Sequence, residues 1–177
     1  MTEDEFLELV RKHQDGIYRH ALYLLKNTED AKDMTQETFI KAWQHRKKLR
    51  QKTVHAWLLK CARNLCFNLI KRRKFQVHLS EEDDEGDTFG MLLKTQENKS
   101  SPSPEEITIM HETKQLVHRA IGELPTSMRS IVIMRELEEM SYKEIAAIVK
   151  QPENSVKSTV FRARKKLREV LSGLMET

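Results

Sequence analysis

The segment from Ser141 to Leu171, SYKEIAAIVKQPENSVKSTVFRARKKLREVL, constrains the fold more than any other stretch of this 177-residue chain. Ser141 followed three residues later by Glu144 is a capping box, which starts a helix by satisfying its orphan backbone donors. Ile145, Ala146, Ile148 and Val149 supply a short apolar face. Lys150-Gln151-Pro152 interrupts it, because proline disfavours helical geometry in the residue before it. Val156, Val160, Ala163, Leu167, Leu171 and Leu174 then recur at steps of three or four, the spacing of one helix face. The opposite face carries Lys157, Ser158, Arg162, Lys165, Lys166 and Arg168. A short helix, a turn and a longer helix with hydroxyls and cations outward can lie in a DNA major groove. The same pattern also fits a helical hairpin with a solvated lysine face, so the motif alone leaves both readings open.

Charge distribution favours a polyanion as ligand. The net charge is only +4, yet Lys41 to Lys74 contains twelve Lys/Arg and no Asp or Glu. Residues 1–40 carry nine acids against five bases, and 76–104 carry seven against two. A solvated surface of mixed charge seldom avoids one sign for so long, which makes a nucleic-acid surface the better account. Within this segment Val54, Trp57, Leu58, Cys61, Leu65 and Leu69 form an apolar helical stripe. That register puts His55, Lys60, Arg63, Asn64, Asn68 and Lys71 on the exposed side. Cations interleaved with His and Asn suit contact with both phosphates and bases.

Five glycines, four prolines and no alternating β-branched run point to an all-α fold. With 38% hydrophobic and 33% charged residues, small helical domains fit better than one large core. No apolar run reaches the length of a membrane span and the acidic amino terminus lacks a signal-peptide pattern, so a soluble cytoplasmic protein without membrane insertion is expected. Cys61 and Cys66, five residues apart on one helix, point in different directions and read as unpaired thiols. The histidines form no ligand set, and no phosphate-cradling glycine loop or nucleophile–base pair is present; no metal, cofactor or catalytic site is expected.

The chain divides at 76–104, whose acidic run Glu81–Asp87 and Ser/Pro end read as a flexible tether. Before it lie a helix over Glu3–Lys26, a second capped by Asn27-Thr28 and running through Met34, Phe39 and Trp43, a loop over Gln44–Thr53, and the basic helix. After it, Ile107, Met110, Val117, Ala120 and Ile121 mark a helix ended by Gly122 and Pro125. Another runs from Thr126 to about Glu138, followed by the helix-turn-helix. The expected organisation is a domain over 1–75, a linker over 76–104 and a domain over 105–177.

Four stretches in order, DAKDMTQETFIKAW (Asp30–Trp43), AWLLKCARNLCFNLIKRRK (Ala56–Lys74), the ELP turn (Glu123–Pro125) and SYKEIAAIV…P..SVKS..FRAR, resemble the extracytoplasmic function sigma factors. These are small members of the sigma-70 family of bacterial RNA polymerase initiation subunits. The resemblance implies that residues 1–75 are region two, with Asp33, Gln36 and Glu37 docking on core RNA polymerase. It implies that the basic helix and the loop before it melt and read the minus-ten promoter element as single strand, through Lys52, His55, Lys60, Arg63, Asn64, Asn68 and Lys71. Loop residues Leu49–Val54 would hold a flipped base. Region four would be about Glu105–Thr177, reading the minus-thirty-five duplex through Glu153, Asn154, Ser155, Ser158, Thr159 and Arg162, with Lys143 and Lys157 on phosphates. Such factors are commonly held by an anti-sigma protein, which makes one an implied partner beside polymerase and promoter DNA.

The sequence departs from the family at the turn, where the usual glycine is Lys150 and the following apolar residue is Gln151. A non-glycine at a left-handed position costs about 1–2 kcal/mol, and the change bears on the angle of the recognition helix. Phe39, Trp43 and Trp57 lie on apolar stripes and are expected in the core. Two rival classes are a helix-turn-helix regulator acting without polymerase and a nucleic-acid enzyme. The first needs neither the basic amino-terminal helix nor Asp33–Glu37, and the second needs carboxylates that Lys41–Lys74 lacks.

Overall fold

A computed structural model of the chain describes residues 1–77 and 104–175. Most of the tether expected over 76–104, with its acidic run, lies outside the described residues, as do the Ile107, Met110 and Leu174 side chains. No strand occurs among the described residues, and the fold is all-α. The first unit comprises α1 (Glu3–Leu25), α2 (Thr28–Gln44) and α3 (Val54–Val77). The second comprises α4 (Pro104–Gly122), α5 (Thr126–Val132), a π-helical turn over Ile133–Leu137, α6 (Tyr142–Val149) and α7 (Glu153–Met175). Gln76 and Val77 thus extend the basic helix, and Pro104 opens α4.

Local chemistry explains the boundaries. Thr2 and Glu5 close a capping box at α1, and Asn27 accepts from the Asp30 amide to start α2. Ser141 and Glu144 form the capping box read from the sequence. Lys150 ends α6 in the left-handed conformation, φ 56° and ψ 46°, and its amide donates to the Ala146 carbonyl. The helix expected over Thr126–Glu138 forms, but its second half widens into the π turn.

The two units share a core. Leu9, Ile17, Phe39, Leu58, Leu59 and Ala62 of the first unit form one buried cluster with Ile131, Met134, Met140, Ile145 and Ile148 of the second. Helix α1 packs on α5, and α3 on α6. Tyr23 of α1 is buried with Ile121 and Ile133. Each such large apolar side chain stabilises the packing by about 1.5–3 kcal/mol relative to exposure. Arg129 of α5 extends across the seam: its guanidinium donates to the carbonyls of Tyr23, Gly122 and Leu124, each at 2.8 Å.

The register of α3 differs from the stripe read in the sequence. Val54, Leu58, Leu59, Ala62 and Cys66 are buried, whereas Trp57, Cys61, Leu65 and Leu69 are half-buried. The helix is covered by α1 and α2 on one side and by α6 on another, so its apolar surface is broader than one stripe. Burial holds both cysteines as thiols, Cys61 raised and Cys66 pushed up to about 12, with neighbouring Asp30 adding to the latter. Phe39 is buried; Trp43 is half-buried, edge-on to Phe6 at 5.0 Å and under the Arg46 guanidinium at 4.0 Å. Trp57 is also half-buried, beside the His45 ring.

Candidate nucleic-acid interface

On the outer face of α3, Lys60, Asn64, Asn68 and Lys71 are exposed, in line at steps of three or four. Lys52 stands exposed in the preceding loop. Arg73 forks onto both carboxylate oxygens of Asp30 and fixes the end of α3 to the start of α2. The result is a rigid cationic ridge with amides between the charges, able to follow a phosphate backbone and reach base edges.

His55 and Arg63, assigned by the sequence to the same exposed face, are half-buried and turn toward the second unit instead. Arg63 donates from Nε to the Ser130 hydroxyl at 3.2 Å and lies over the Phe67 ring at 4.3 Å; burial lowers its proton affinity. His55 stacks on His13 with centroids 5.1 Å apart and points Nε2 at Glu138, 3.5 Å away. The reason for the difference is tertiary: Ser130 of α5 and Glu138 after the π turn reach a flank of α3 that a lone helix would expose.

Helix α2 presents Asp33 and Gln36 to solvent, while Glu37 is half-buried and 3.6 Å from Lys41. These three line a groove of about 1110 Å³ between α2 and the last turns of α3, with Asn68, Lys71 and Phe75 on its other wall. Two sets of residues assigned to different ligands therefore border one groove. Its apolar floor includes Ile40, 51% exposed, and Phe75, 75% exposed, which the sequence reading left out. An apolar strip between acidic and basic walls accommodates an amphipathic helix of mixed charge.

In the second unit, Glu153, Asn154, Ser155, Lys157, Ser158 and Arg162 lie exposed along the first turns of α7, and Lys143 is exposed on α6. Glu153 and Lys157 pair at 3.5 Å, and the Lys157 ammonium stands 5.7 Å from the Tyr142 ring centroid. Thr159 departs from the expected exposed face. It is buried, and its hydroxyl donates to the Ser155 carbonyl at 2.9 Å, because the helix turns that position onto the core between Val156 and Val160. Asn154, Ser155, Ser158 and Arg162 border a concavity of about 560 Å³ closed by Pro125 and Ser127 of the α5 entry. Phe161 is 67% exposed on the same helix. Its signal was present in the sequence, since it falls off the Val156–Val160–Ala163–Leu167 stripe.

Comparison with known proteins places these two surfaces in one family. The model of sigma-70 region 2 matches residues 9–76, and that of sigma-70 region 4 matches residues 114–167. The chain is 30% identical over 168 residues to the ECF RNA polymerase sigma factor SigM of Bacillus subtilis, covering 95% of this chain and 94% of that one. It is 31% identical over 171 residues to the RNA polymerase sigma-H factor of Pseudomonas aeruginosa, covering 94% and 86%. It is also 31% identical to the ECF sigma factor SigE of Mycolicibacterium smegmatis over 93% of its own length, and spans 61% of that relative. The fold is similar to that of the sigma factor RpoE of Bartonella quintana, solved in complex with the anti-sigma factor NepR. There the TM-score is 0.74 at 22% identity, with 95% and 97% of the two chains covered. With both family segments present in order, and relatives matched along nearly all of its length, the chain belongs to the extracytoplasmic function sigma factors of the sigma-70 family.

Proposed function

We propose that this chain binds core RNA polymerase and directs it to promoters by reading two DNA elements, the minus-ten as separated strand and the minus-thirty-five as duplex. The observation that carries this reading is the pairing, in one chain, of an acid-free cationic helix with a polar recognition helix. Helix α3 offers the single-strand surface: Lys52, Lys60 and Lys71 neutralise phosphates, and Asn64 and Asn68 bond to base edges. A base drawn from the stack costs a few kcal/mol, which these contacts offset only once the strands separate. Helix α7 offers the duplex surface, with Asn154, Ser155, Ser158 and Arg162 in the major groove and Lys143 and Lys157 on the flanking phosphates. Asp33, Gln36 and Glu37 on α2 dock on polymerase, and the groove they border receives a helical element of it.

The mechanism is binding rather than chemistry on a substrate, and the protein acts in the cytoplasm, where its polymerase is. No described helix is long and apolar enough to cross a membrane. An anti-sigma protein is a further partner, in keeping with the complex in which the structural relative was solved. Region two is the segment that a stand-alone helix-turn-helix regulator would not require, and its match over 68 residues supports the polymerase-dependent reading.

The test is run-off transcription with purified core polymerase on a randomised promoter library. The full chain should select templates sharing two spaced motifs, and Asp33→Lys with Glu37→Lys should abolish transcription. Selection of duplex DNA at equal strength without polymerase would overturn the proposal.

A further inference from the structure

Five exposed polar side chains border the concavity at the start of α7: Gln151, Asn154, Ser155, Ser158 and Arg162. Gln151, Asn154, Ser158 and Arg162 stand at steps of three or four, along one edge of the helix and the turn before it. Two amides come first on this line, hydroxyls next and a guanidinium last. The neighbouring carboxylate, Glu153, reaches instead to Lys157 at 3.5 Å. Among the described residues neither amide is engaged by another side chain. In the sequence Gln151 is only a departure at the turn; in the fold it shares a rim with the residues of the recognition helix.

Both ends of the line are held. The backbone amide of Gln151 donates to the Ala146 carbonyl at 3.2 Å, closing the turn around the left-handed Lys150. The Pro152 carbonyl accepts from the amides of Ser155 and Val156 at 3.0 and 3.2 Å. At the far end Arg162 donates to the Thr159 hydroxyl at 3.4 Å, and that hydroxyl donates in turn to the Ser155 carbonyl. A group fixed in this way loses less freedom when it binds. Each group also complements one base edge. An amide carries an acceptor and a donor side by side, which fits the N6 amine and N7 of adenine in the major groove. A guanidinium carries donors only, which fits N7 and O6 of guanine. Asn154 and Arg162 are separated by about 12 Å along the helix. At about 3.4 Å per base step they meet bases about three or four pairs apart.

We propose that Gln151 and Asn154 form an adenine-selecting pair, which fixes A·T base pairs at one end of the duplex element while Arg162 selects guanine toward the other. The proposal rests on the reading of α7 as the minus-thirty-five helix and assigns base identity within it. It adds Gln151, which lies before the helix, to the residues that read DNA.

Single-atom changes in the DNA test it, with the full chain and core polymerase on a template recovered from the randomised library. Replacing one adenine of the upstream motif by 7-deaza-adenine removes the N7 acceptor and leaves base pairing intact. At one A·T pair this should lower wild-type initiation about five- to tenfold, the lower range for a bidentate contact. Asn154→Ala should lose at least that factor on the natural template and nothing more on the replaced one. Gln151→Ala should show the same pattern at an adjacent pair. Arg162→Ala should keep the full adenine effect while losing its preference for guanine. Wild-type initiation indifferent to every adenine replacement, or equal sensitivity in wild type and both amide variants, would overturn the pair. If the chain programs no transcription with core polymerase, the sigma-factor role fails. The same replacements, read by anisotropy of the duplex with the chain alone, then decide the adenine pair: binding that ignores them rejects it, and binding that Asn154→Ala makes insensitive to them upholds it.

Discussion

The two helices proposed to meet DNA differ in how ready they are. Helix α7 displays Ser155, Ser158 and Arg162 on a surface that nothing in the described chain covers, and its position is fixed by α6 and by the left-handed turn at Lys150. Helix α3 shows Lys60, Asn64, Asn68 and Lys71, but turns His55 and Arg63 into the seam. The contrast fits the role proposed for each. Duplex DNA displays its code without distortion, so a preformed reader serves. A separated strand exists only after stacking has been broken, and a surface that reached it fully at all times would bind any single-stranded nucleic acid.

The seam is the term to break first. Arg129 satisfies three backbone carbonyls from inside the protein, one of them across the seam. Burial lowers the proton affinity of the guanidinium and Glu123 partly restores it. Arg129→Met should lower unfolding stability by about 3–5 kcal/mol, the cost of leaving buried polar groups without partners. Arg129→Lys should recover only part of this, because an ammonium does not reproduce the guanidinium fork. Chemical denaturation measures both, and a loss below about 1 kcal/mol for the methionine variant would mean that the carbonyls find other partners.

Acid should weaken the same region. His20 is fully buried on α1, and neither ring nitrogen has a hydrogen-bond partner among the described residues. Burial, aided by Arg63 and Arg19, lowers its pKa from 6.5 to about 3. The folded chain therefore holds His20 neutral, and above the ordinary value folding exchanges no proton there. As pH falls from 6.5 toward 3, the unfolded chain binds a proton that the folded chain refuses, and stability declines. One such group contributes a slope of about 1.4 kcal/mol per pH unit. His13 and His118, also lowered by burial first, act in the same direction. Denaturation of wild type and His20→Leu at pH 6 and pH 4 should differ by about 2–3 kcal/mol in their pH dependence; parallel profiles would assign the acid sensitivity to other groups.

Much of this fold was legible because it depends on neighbours in sequence. The caps at Asn27 and Ser141 and the strained turn at Lys150 each rest on residues within one helical turn. The seam was not, because it joins residues such as Arg19 and Glu138, 119 positions apart, and because Glu138 follows a π turn whose widening breaks the helical period. Periodicity assigns a helix one buried face; α3 packs against α1 and α2 and also against the second unit, so His55 and Arg63 lie inward while Lys60, Asn64, Asn68 and Lys71 stay outside. Thr159 was misplaced for the opposite reason: its hydroxyl reads as polar, but a threonine can donate back to the carbonyl four residues earlier and sit in the core.

Readiness can also be measured as additivity. Arg162→Ala should weaken minus-thirty-five duplex binding by about 1–3 kcal/mol, the worth of one good side-chain contact to a base. Because α7 is uncovered, that loss should be the same, within about 0.5 kcal/mol, in a Glu138→Gln background. His55→Ala should behave differently, costing single-strand affinity chiefly where Glu138 has been replaced, since only then is the ring free to meet DNA. Binding titrations of the single and double variants decide between the cases. Equal coupling of both helices to Glu138 would erase the distinction between a preformed and a withheld surface.

The smallest expected effect concerns how firmly α7 is aimed. Lys150 holds φ 56° at the end of α6, a conformation in which its Cβ crowds the backbone. A non-glycine residue there loses about 1–2 kcal/mol. Lys150→Gly removes that strain but gives the unfolded chain more freedom to lose, so the net gain should be about 1 kcal/mol or less. Thermal unfolding should register it as an increase of a few degrees. The same variant removes a cation three residues before the start of α7, so its duplex affinity should fall slightly while its stability rises. Movement of both in the same direction would mean that Lys150 supports the angle of the recognition helix through its side chain, and that α7 is less independent of its turn than the exposed face implies.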